Sequence, residues 1–203
     1  MPAKTTENPR LILASTSVYR RELLARLGVP FETAKPDVDE TPLAGEAPAA
    51  TALRLAEAKA RDVAKRYARA LVIGADQVAD LGGVAVSKPL SHANAVEQLM
   101  RASGRSVVFH TAVALMNAQD GRCAVRQVDV TTQFRVLSPA AIEEYLRREQ
   151  PYDCAVSTKA EALGIALVEW IRSDDPTALI GLPLIGVVDL LRAAGIDVLA
   201  ERR

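Results

Sequence analysis

A chain of 203 residues in which 25 Lys and Arg balance 25 Asp and Glu carries no net charge, which speaks against a protein that coats nucleic acid, since such proteins carry a basic excess. At 49% hydrophobic and 25% charged it has the composition of a soluble globular protein, and with 4% aromatic residues its core must be built from Ala, Val, Leu and Ile. No run approaches the ~20 apolar residues of a membrane span, and the two cysteines, Cys123 and Cys154, make neither a disulfide framework nor a metal cluster. A reducing cytoplasm is the expected setting. Met1 to Arg10 is a polar N-terminal tail with no apolar signal-peptide segment. From Leu11 to Arg203 the chain shows no repeat, low-complexity tract or flexible linker, as expected of a single domain.

Leu11 to Ala14 is a short apolar run and reads as a buried strand. The hydroxyls of Ser15, Thr16 and Ser17 follow. A helix then begins whose Leu23, Leu24 and Leu27 share one face, with Ser15 or Ser17 as its cap. Arg20 and Arg21 fall in its first turn, where the helix dipole already leaves positive charge. That placement suits an anion such as phosphate; the alternative is a solvated pair of surface arginines. Phe31 to Lys35 is a second strand, and Asp37 to Pro48 is an acidic, Pro-containing loop with Asp39-Glu40. Ala49 to Arg69 is a long helix on which Leu53, Ala56, Ala60, Val63 and Ala64 recur at helical spacing.

Leu71 to Ile73 is a short strand, with Gly74-Ala75-Asp76-Gln77 at its carboxyl end. Val78 to Val86 reads as a hairpin about Gly82-Gly83, and Ser87 to Leu90 as a loop. Ser91 caps a helix to Ala102 that Gly104 stops. Val107 to Met116 and Cys123 to Val136 are strands joined at Asp120-Gly121, a strong hairpin signal. Ser138-Pro139 opens a helix to Glu149. Ala155 to Val168 holds a loop, Ser157 to Ala162, and then an apolar strand. Leu184 to Ala194 is a last amphipathic helix, closed by Gly195. The alternation of strands and helices with one long hairpin indicates an α/β fold with a mixed sheet.

Ser15 to Arg21, Asp39-Glu40, Asp76-Gln77 and Ser87-Lys88 are polar interruptions of apolar elements, and two of them follow strands directly, where ligands of α/β sheets collect. With Lys59, placed among Ala and Leu on the long helix, they supply cations (Arg20, Arg21, Lys59, Lys88), carboxylates (Glu40, Asp76) and hydroxyls (Ser15, Ser17). That set suits phosphate-ester hydrolysis: cations take the phosphate charge, carboxylates hold a divalent metal and activate water. Neither Gly-x-x-x-x-Gly-Lys nor Gly-x-Gly-x-x-Gly is present. Each residue alone has a plainer use. Asp76 can be a turn-former, Lys59 can snorkel, Lys88-Pro89 can be an ordinary loop, Cys154 a buried small hydrophobe rather than a nucleophile, and His110 a structural residue.

Together, Leu-Ile-Leu-Ala-Ser-Thr-Ser-x-x-Arg-Arg-x-x-Leu-Leu from Leu11, Val38-Asp39-Glu40, Ala56-x-x-Lys59-Ala60, Gly74-Ala75-Asp76-Gln77-Val78 and Lys88-Pro89 resemble the Maf family of nucleotide pyrophosphatases, which cleave between the α- and β-phosphates. Gln150 to Ala155 and Leu179 to Leu184 extend the match to about Ile196. The resemblance implies a mixed central sheet flanked by helices, in two lobes with a cleft, of the Maf/ITPase-like kind. It also implies Asp76 as general base or metal ligand, Glu40 with Asp76 at a Mg²⁺ or Mn²⁺ ion, and Ser15, Arg20, Arg21, Lys59 and Lys88 at the phosphates. A nucleoside triphosphate is the expected partner, with no nucleic acid or membrane, and a homodimer is expected from the resemblance alone.

Three positions separate the family's substrate groups, and here they are Tyr19, Gln77 and Glu161. The dTTP/UTP branch has Arg, Thr and Gln there; the residues of this chain resemble the branch that hydrolyses 7-methyl-GTP. The chemistry agrees. N7-methylation puts positive charge on guanine, which a tyrosine face attracts, and Glu161 can accept from N1–H and the 2-amino group. The chain departs from the family pattern at Val18 (usually Pro), at Tyr19 (commonly Trp in this branch), and at Val156 and Ala162 (both expected as Gly). The alternatives are a pyrophosphatase of the same family acting on dTTP, UTP or another modified nucleotide, and a non-enzymatic, septation-related regulator.

Overall fold

The structure, a computed structural model, describes residues 9–200. The expected tail therefore lies outside the described residues up to residue 8, and its last residue, Arg10, already belongs to the first strand. Among the described residues there are seven strands: β1 (Arg10–Ala14), β2 (Glu32–Thr33), β3 (Ala70–Asp80), β4 (Ala85–Val86), β5 (Ser106–Asn117), β6 (Cys123–Phe134) and β7 (Val168–Arg172). There are five α-helices: α1 (Val18–Ala25), α2 (Pro48–Ala64), α3 (His92–Ala102), α4 (Pro139–Glu149) and α5 (Leu184–Ala193). The strands form one mixed sheet in the order β2-β1-β3-β5-β6-β7, with β4 on the end of β3. β1 runs parallel to β2 and β3, and the remaining pairings are antiparallel.

β3 decides where a site can form. The apolar run ends at Ile73, yet the strand continues through Asp76 and Gln77, because β5 pairs with it from Leu71 to Asp80 and keeps the chain extended. Asp76 and Gln77 are therefore strand residues and not a turn beyond the strand. On the other side β1 stops at Ala14, opposite Gly74, and β4 joins only at Ala79. Ala75 to Val78 thus have a strand neighbour on one side only, beside the carboxyl end of β1, the position where α/β sheets bind ligands.

Three cores pack on this sheet. α1 and α5 cover one face of β1 and β3 through Leu23, Leu24, Val187 and Leu191, with Leu182 just before α5. α2 covers the other face through Ala52, Ala56, Ala60 and Val63. α3 and α4 pack with the far ends of β3, β5 and β6 around Leu99, Phe109, Phe134 and Leu146. The first two make one lobe and the third makes the other, with the long strands running through both. The contact of α2 with the sheet is very close at Gly74, where a Cβ would lie 2.2 Å from the Ala56 carbonyl oxygen and 2.6 Å from the Ala60 nitrogen.

Several boundaries differ from the sequence reading. α2 starts with Pro48 at its first turn and ends at Ala64, where its apolar stripe runs out, and Leu53 lies off that stripe at 37% exposure. β2 shrinks to the two residues that find partners on β1. The apolar strand expected before Val168 is a 3-10 turn, Leu163–Leu167, and the strand begins at Val168. The chain folds back tightly there, since a Cβ on Gly164 would stand 2.5 Å from the Lys159 carbonyl oxygen. The caps are as the sequence indicates for Ser17, Ser91 and Ser138, each of which accepts from the backbone N–H three residues on. Among the described residues no helix is long and apolar enough to cross a membrane.

Candidate active site

A cleft of about 1120 Å³ opens along the free side of β3, and Ser15, Tyr19, Arg20, Glu40, Lys59, Asp76, Gln77, Lys88 and Glu161 all line it. Its size suits a nucleotide. Arg21 does not line it: it lies exposed, because one helical step turns it about 100° away from Arg20. At the mouth of α1, Ser17 caps the helix and buried Ser15 accepts from the Ser17 N–H at 3.1 Å. Arg20 is half-buried and donates through Nε to the Gly181 carbonyl oxygen at 2.9 Å, which leaves the rest of its guanidinium fork for a ligand. Burial pulls its pKa below the ordinary arginine value, against the pull of Asp76 and Glu40, so an incoming anion meets a poorly solvated cation.

Lys59 and Asp76 form the chemical centre. Lys59 sits on the buried stripe of α2, one turn from Ala56 and Val63, and so enters the site from inside the protein. Its Nζ lies 2.7 Å from Asp76 Oδ1 and 2.9 Å from Glu40 Oε1. Lys59 and Asp76 are 5% and 6% exposed, whereas the Glu40 side chain reaches out at 60%. An ammonium has three donors, so one remains after the two carboxylates are served. Burial raises the Asp76 pKa, and this outweighs the lowering by Lys59 and Arg20. Asp76 Oδ2 accepts no hydrogen bond among the described residues. A carboxylate of raised basicity with a free oxygen is what proton abstraction from water requires. Glu40 and Asp76 are hard oxygen donors, and one or two carboxylates completed by substrate phosphates are the usual set for Mg²⁺. Among the described residues no cluster of three or more His, Cys, Asp or Glu is placed to hold a metal by itself.

The other end of the cleft is built from the segments 153–161 and 178–181. Gln77 donates through Nε2 to the carbonyl oxygens of Ala178 at 2.9 Å and Leu179 at 3.1 Å, with Thr111 Oγ1 also at 2.9 Å. Its two N–H donors are shared among these three acceptors, which fixes the amide's orientation and leaves Oε1 as its group for a ligand. The 178–181 turn is itself anchored. Buried Asp175 accepts from the Thr177 and Ile185 N–H groups at 2.9 and 2.7 Å, and Thr177 Oγ1 accepts from the Leu184 N–H at 2.8 Å. Tyr19 is half-buried among Asp153, Cys154 and Lys159, and burial raises its pKa first, so it stays protonated. Cys154 is pushed up to about 12, by burial and then by Asp153, and is therefore a thiol and no nucleophile. Glu161 stands exposed at the rim.

Among the positions where the family pattern has Gly, Val156 carries the mark of it. It sits at φ 55°, a conformation a β-branched residue rarely adopts, and Ser157 beside it is at φ 52°. Ala162 keeps a negative φ of −130°, outside the left-handed region that favours glycine. The sequence reading missed Lys159, whose Nζ lies 3.8 Å from Asp153 Oδ1 and 4.0 Å from Glu149 Oε1. Its closeness in sequence to Glu161 was the one available signal. Thr132, on the lining, was also unmarked; its buried Oγ1 has no hydrogen-bond partner among the described residues.

Residues 10–194 match the family described as Maf-like protein. Curated relatives agree along nearly the whole chain. A protein named 7-methyl-GTP pyrophosphatase from Paraburkholderia xenovorans is 58% identical over 199 residues, covering 96% of each chain. Proteins of the same name from Methylobacillus flagellatus and Cupriavidus metallidurans are 56% and 55% identical, covering 94% and 92% of this chain and 100% and 94% of their own. A family match across nine-tenths of the chain, on a sheet whose open edge carries Asp76, leaves one conclusion: the chain belongs to the Maf family.

Proposed function

We propose that this chain is a nucleoside triphosphate pyrophosphatase that hydrolyses 7-methyl-GTP to 7-methyl-GMP and pyrophosphate, clearing a modified nucleotide from the free pool of the cytoplasm. The observation that carries it is the buried Lys59–Asp76 pair at the open edge of β3, in one cleft with Arg20 and Lys88 and with Tyr19 and Glu161. The name shared by the relatives supports the choice of base.

Water attacks the α-phosphorus, the bond from that phosphorus to the α–β bridging oxygen breaks, and pyrophosphate leaves with the electron pair. Asp76 takes the proton of the attacking water, and Lys59, held on Oδ1, keeps the carboxylate oriented. Arg20, Lys88 and the remaining Lys59 proton take up charge on the phosphate oxygens. Glu40 and Asp76 would hold a divalent cation, Mg²⁺ or Mn²⁺, which when bound supplies Lewis-acid stabilisation at the phosphates. Tyr19 stacks on the cationic ring, and Glu161 accepts from N1–H and the 2-amino group.

A pyrophosphate-release assay on 7-methyl-GTP, GTP, dTTP and UTP tests this, run with Mg²⁺ and with Mn²⁺. The expected result is preference for 7-methyl-GTP, loss of release with a chelator, and recovery when either cation is restored. Preference for dTTP or UTP overturns the roles of Tyr19 and Glu161. No release from any triphosphate overturns the enzyme reading.

A further inference from the structure

Lys88 lies on the exposed loop between β4 and α3, and its ammonium makes no ion pair among the described residues. Nothing about the side chain itself holds it in the cleft. Its backbone, however, is gripped on both sides by α3. Asn94 Nδ2 donates to the Pro89 carbonyl oxygen at 2.8 Å, and Gln98 Nε2 donates to the Ser87 carbonyl oxygen at 2.9 Å. Asn94 and Gln98 are one helical turn apart and so share a face. The two carbonyls they take are those immediately before and after Lys88.

Gln98 has a second end. Its Oε1 accepts from Ser157 Oγ at 3.1 Å. The orientation of the amide is determined, since the Ser87 carbonyl can only accept. Ser157 is fully buried at φ 52°, next to fully buried Val156 at φ 55°. These are the two strained residues at the base of the loop that leads to Glu161. Strain of this kind persists only where surrounding contacts over-determine the backbone, and the Gln98 bond is such a contact.

We propose that Gln98, helped by Asn94, is a positioning residue of the site: it fixes the backbone that presents Lys88 and ties it to the loop that carries Glu161, so that the phosphate contact and the base contact are held at one separation. This rests on the roles given above to Lys88 and Glu161.

Two variants cut the strut at different ends. In Gln98→Glu the carboxylate still accepts from Ser157 but has no proton for the Ser87 carbonyl. The expected result is a fall in kcat/KM of about tenfold, by the same factor for every triphosphate, as for a misplaced phosphate ligand. Ser157→Ala keeps the bond to Ser87 and frees the other loop; the expected result is a several-fold drop in the ratio of 7-methyl-GTP to dTTP turnover. Because Gln98 acts through Lys88, Gln98→Glu added to Lys88→Ala is expected to cost less than about twofold.

If Lys88→Ala alone turns over like the wild type, the phosphate role of Lys88 fails and takes this proposal with it. If Lys88→Ala is impaired and Gln98→Glu adds its full cost on top, the phosphate role stands and the positioning role falls. Lower melting temperatures with wild-type kinetics in both Gln98→Glu and Ser157→Ala make Gln98 a purely structural residue and also overturn the proposal.

Discussion

Asp76→Asn is expected to lower kcat by about a hundredfold or more, the usual scale for loss of a general base. The substitution is nearly isosteric, and its carbonyl oxygen can still accept from Lys59, so the fold is retained. What it loses is the ability to hold a proton drawn from water. The pH profile sharpens the test. Burial raises Asp76 above the ordinary aspartate value of 3.8, so the acid limb of kcat/KM in the wild type lies above 3.8 and is absent from the residual activity of the variant. The same shift acts on stability. A carboxyl whose pKa is higher folded than unfolded favours folding below the unfolded value, and that contribution is lost as pH rises through the folded value. The stability of Asp76→Asn relative to wild type therefore improves as pH rises through this window. Near-normal turnover in this variant would remove Asp76 from the chemistry.

Gly74→Ala is expected to cost about 3 kcal/mol of stability, the upper end for an added methyl in a packed interior, and to lower Tm by roughly 6–12 °C. The methyl would enter at 2.2 Å from one backbone atom of α2 and 2.6 Å from another, and neither can rotate aside as a side chain would. α2 has to move off β3. It carries Lys59, so the Lys59–Asp76 distance of 2.7 Å opens as well, and turnover falls with stability. Thermal melting and the release assay on the same preparation check both effects. A variant that melts with the wild type would show that the helix yields without strain.

Much of the fold could be read from local chemistry. Ser91, Ser138-Pro139 and Asp120-Gly121 act within a few residues of themselves, and the caps and hairpin they imply are present. β3 could not be read past Ile73, since only pairing with β5, more than thirty residues on, keeps Asp76 and Gln77 extended. The site divides in the same way. Arg20, Lys59 and Asp76 stood out as polar residues inside apolar patterns. Arg21 stood out equally and lies outside the cleft, because adjacency in sequence says nothing of the face a side chain takes on a helix. Tyr19 and Glu161 entered only through family resemblance. Asn94, Gln98 and Asp175 gave no signal: their partners are backbone groups up to eleven residues away, with the Thr177 hydroxyl for Asp175 and, for Gln98, a serine 59 residues away.

The 178–181 turn takes Arg20 on one carbonyl and Gln77 on two others. Both side chains are aimed by main-chain oxygens, which every residue type supplies alike. Among the described residues, Tyr19 and Glu161 make no hydrogen bond to this turn. On the roles proposed above, exchanging them for residues suited to another base leaves the Arg20 bond to Gly181 in place. Selectivity and chemistry are, on those roles, thus only partly separable in this architecture: a lineage can vary Tyr19 while the turn stays intact, but a change at Gln77 releases two carbonyls of the turn that also anchors Arg20.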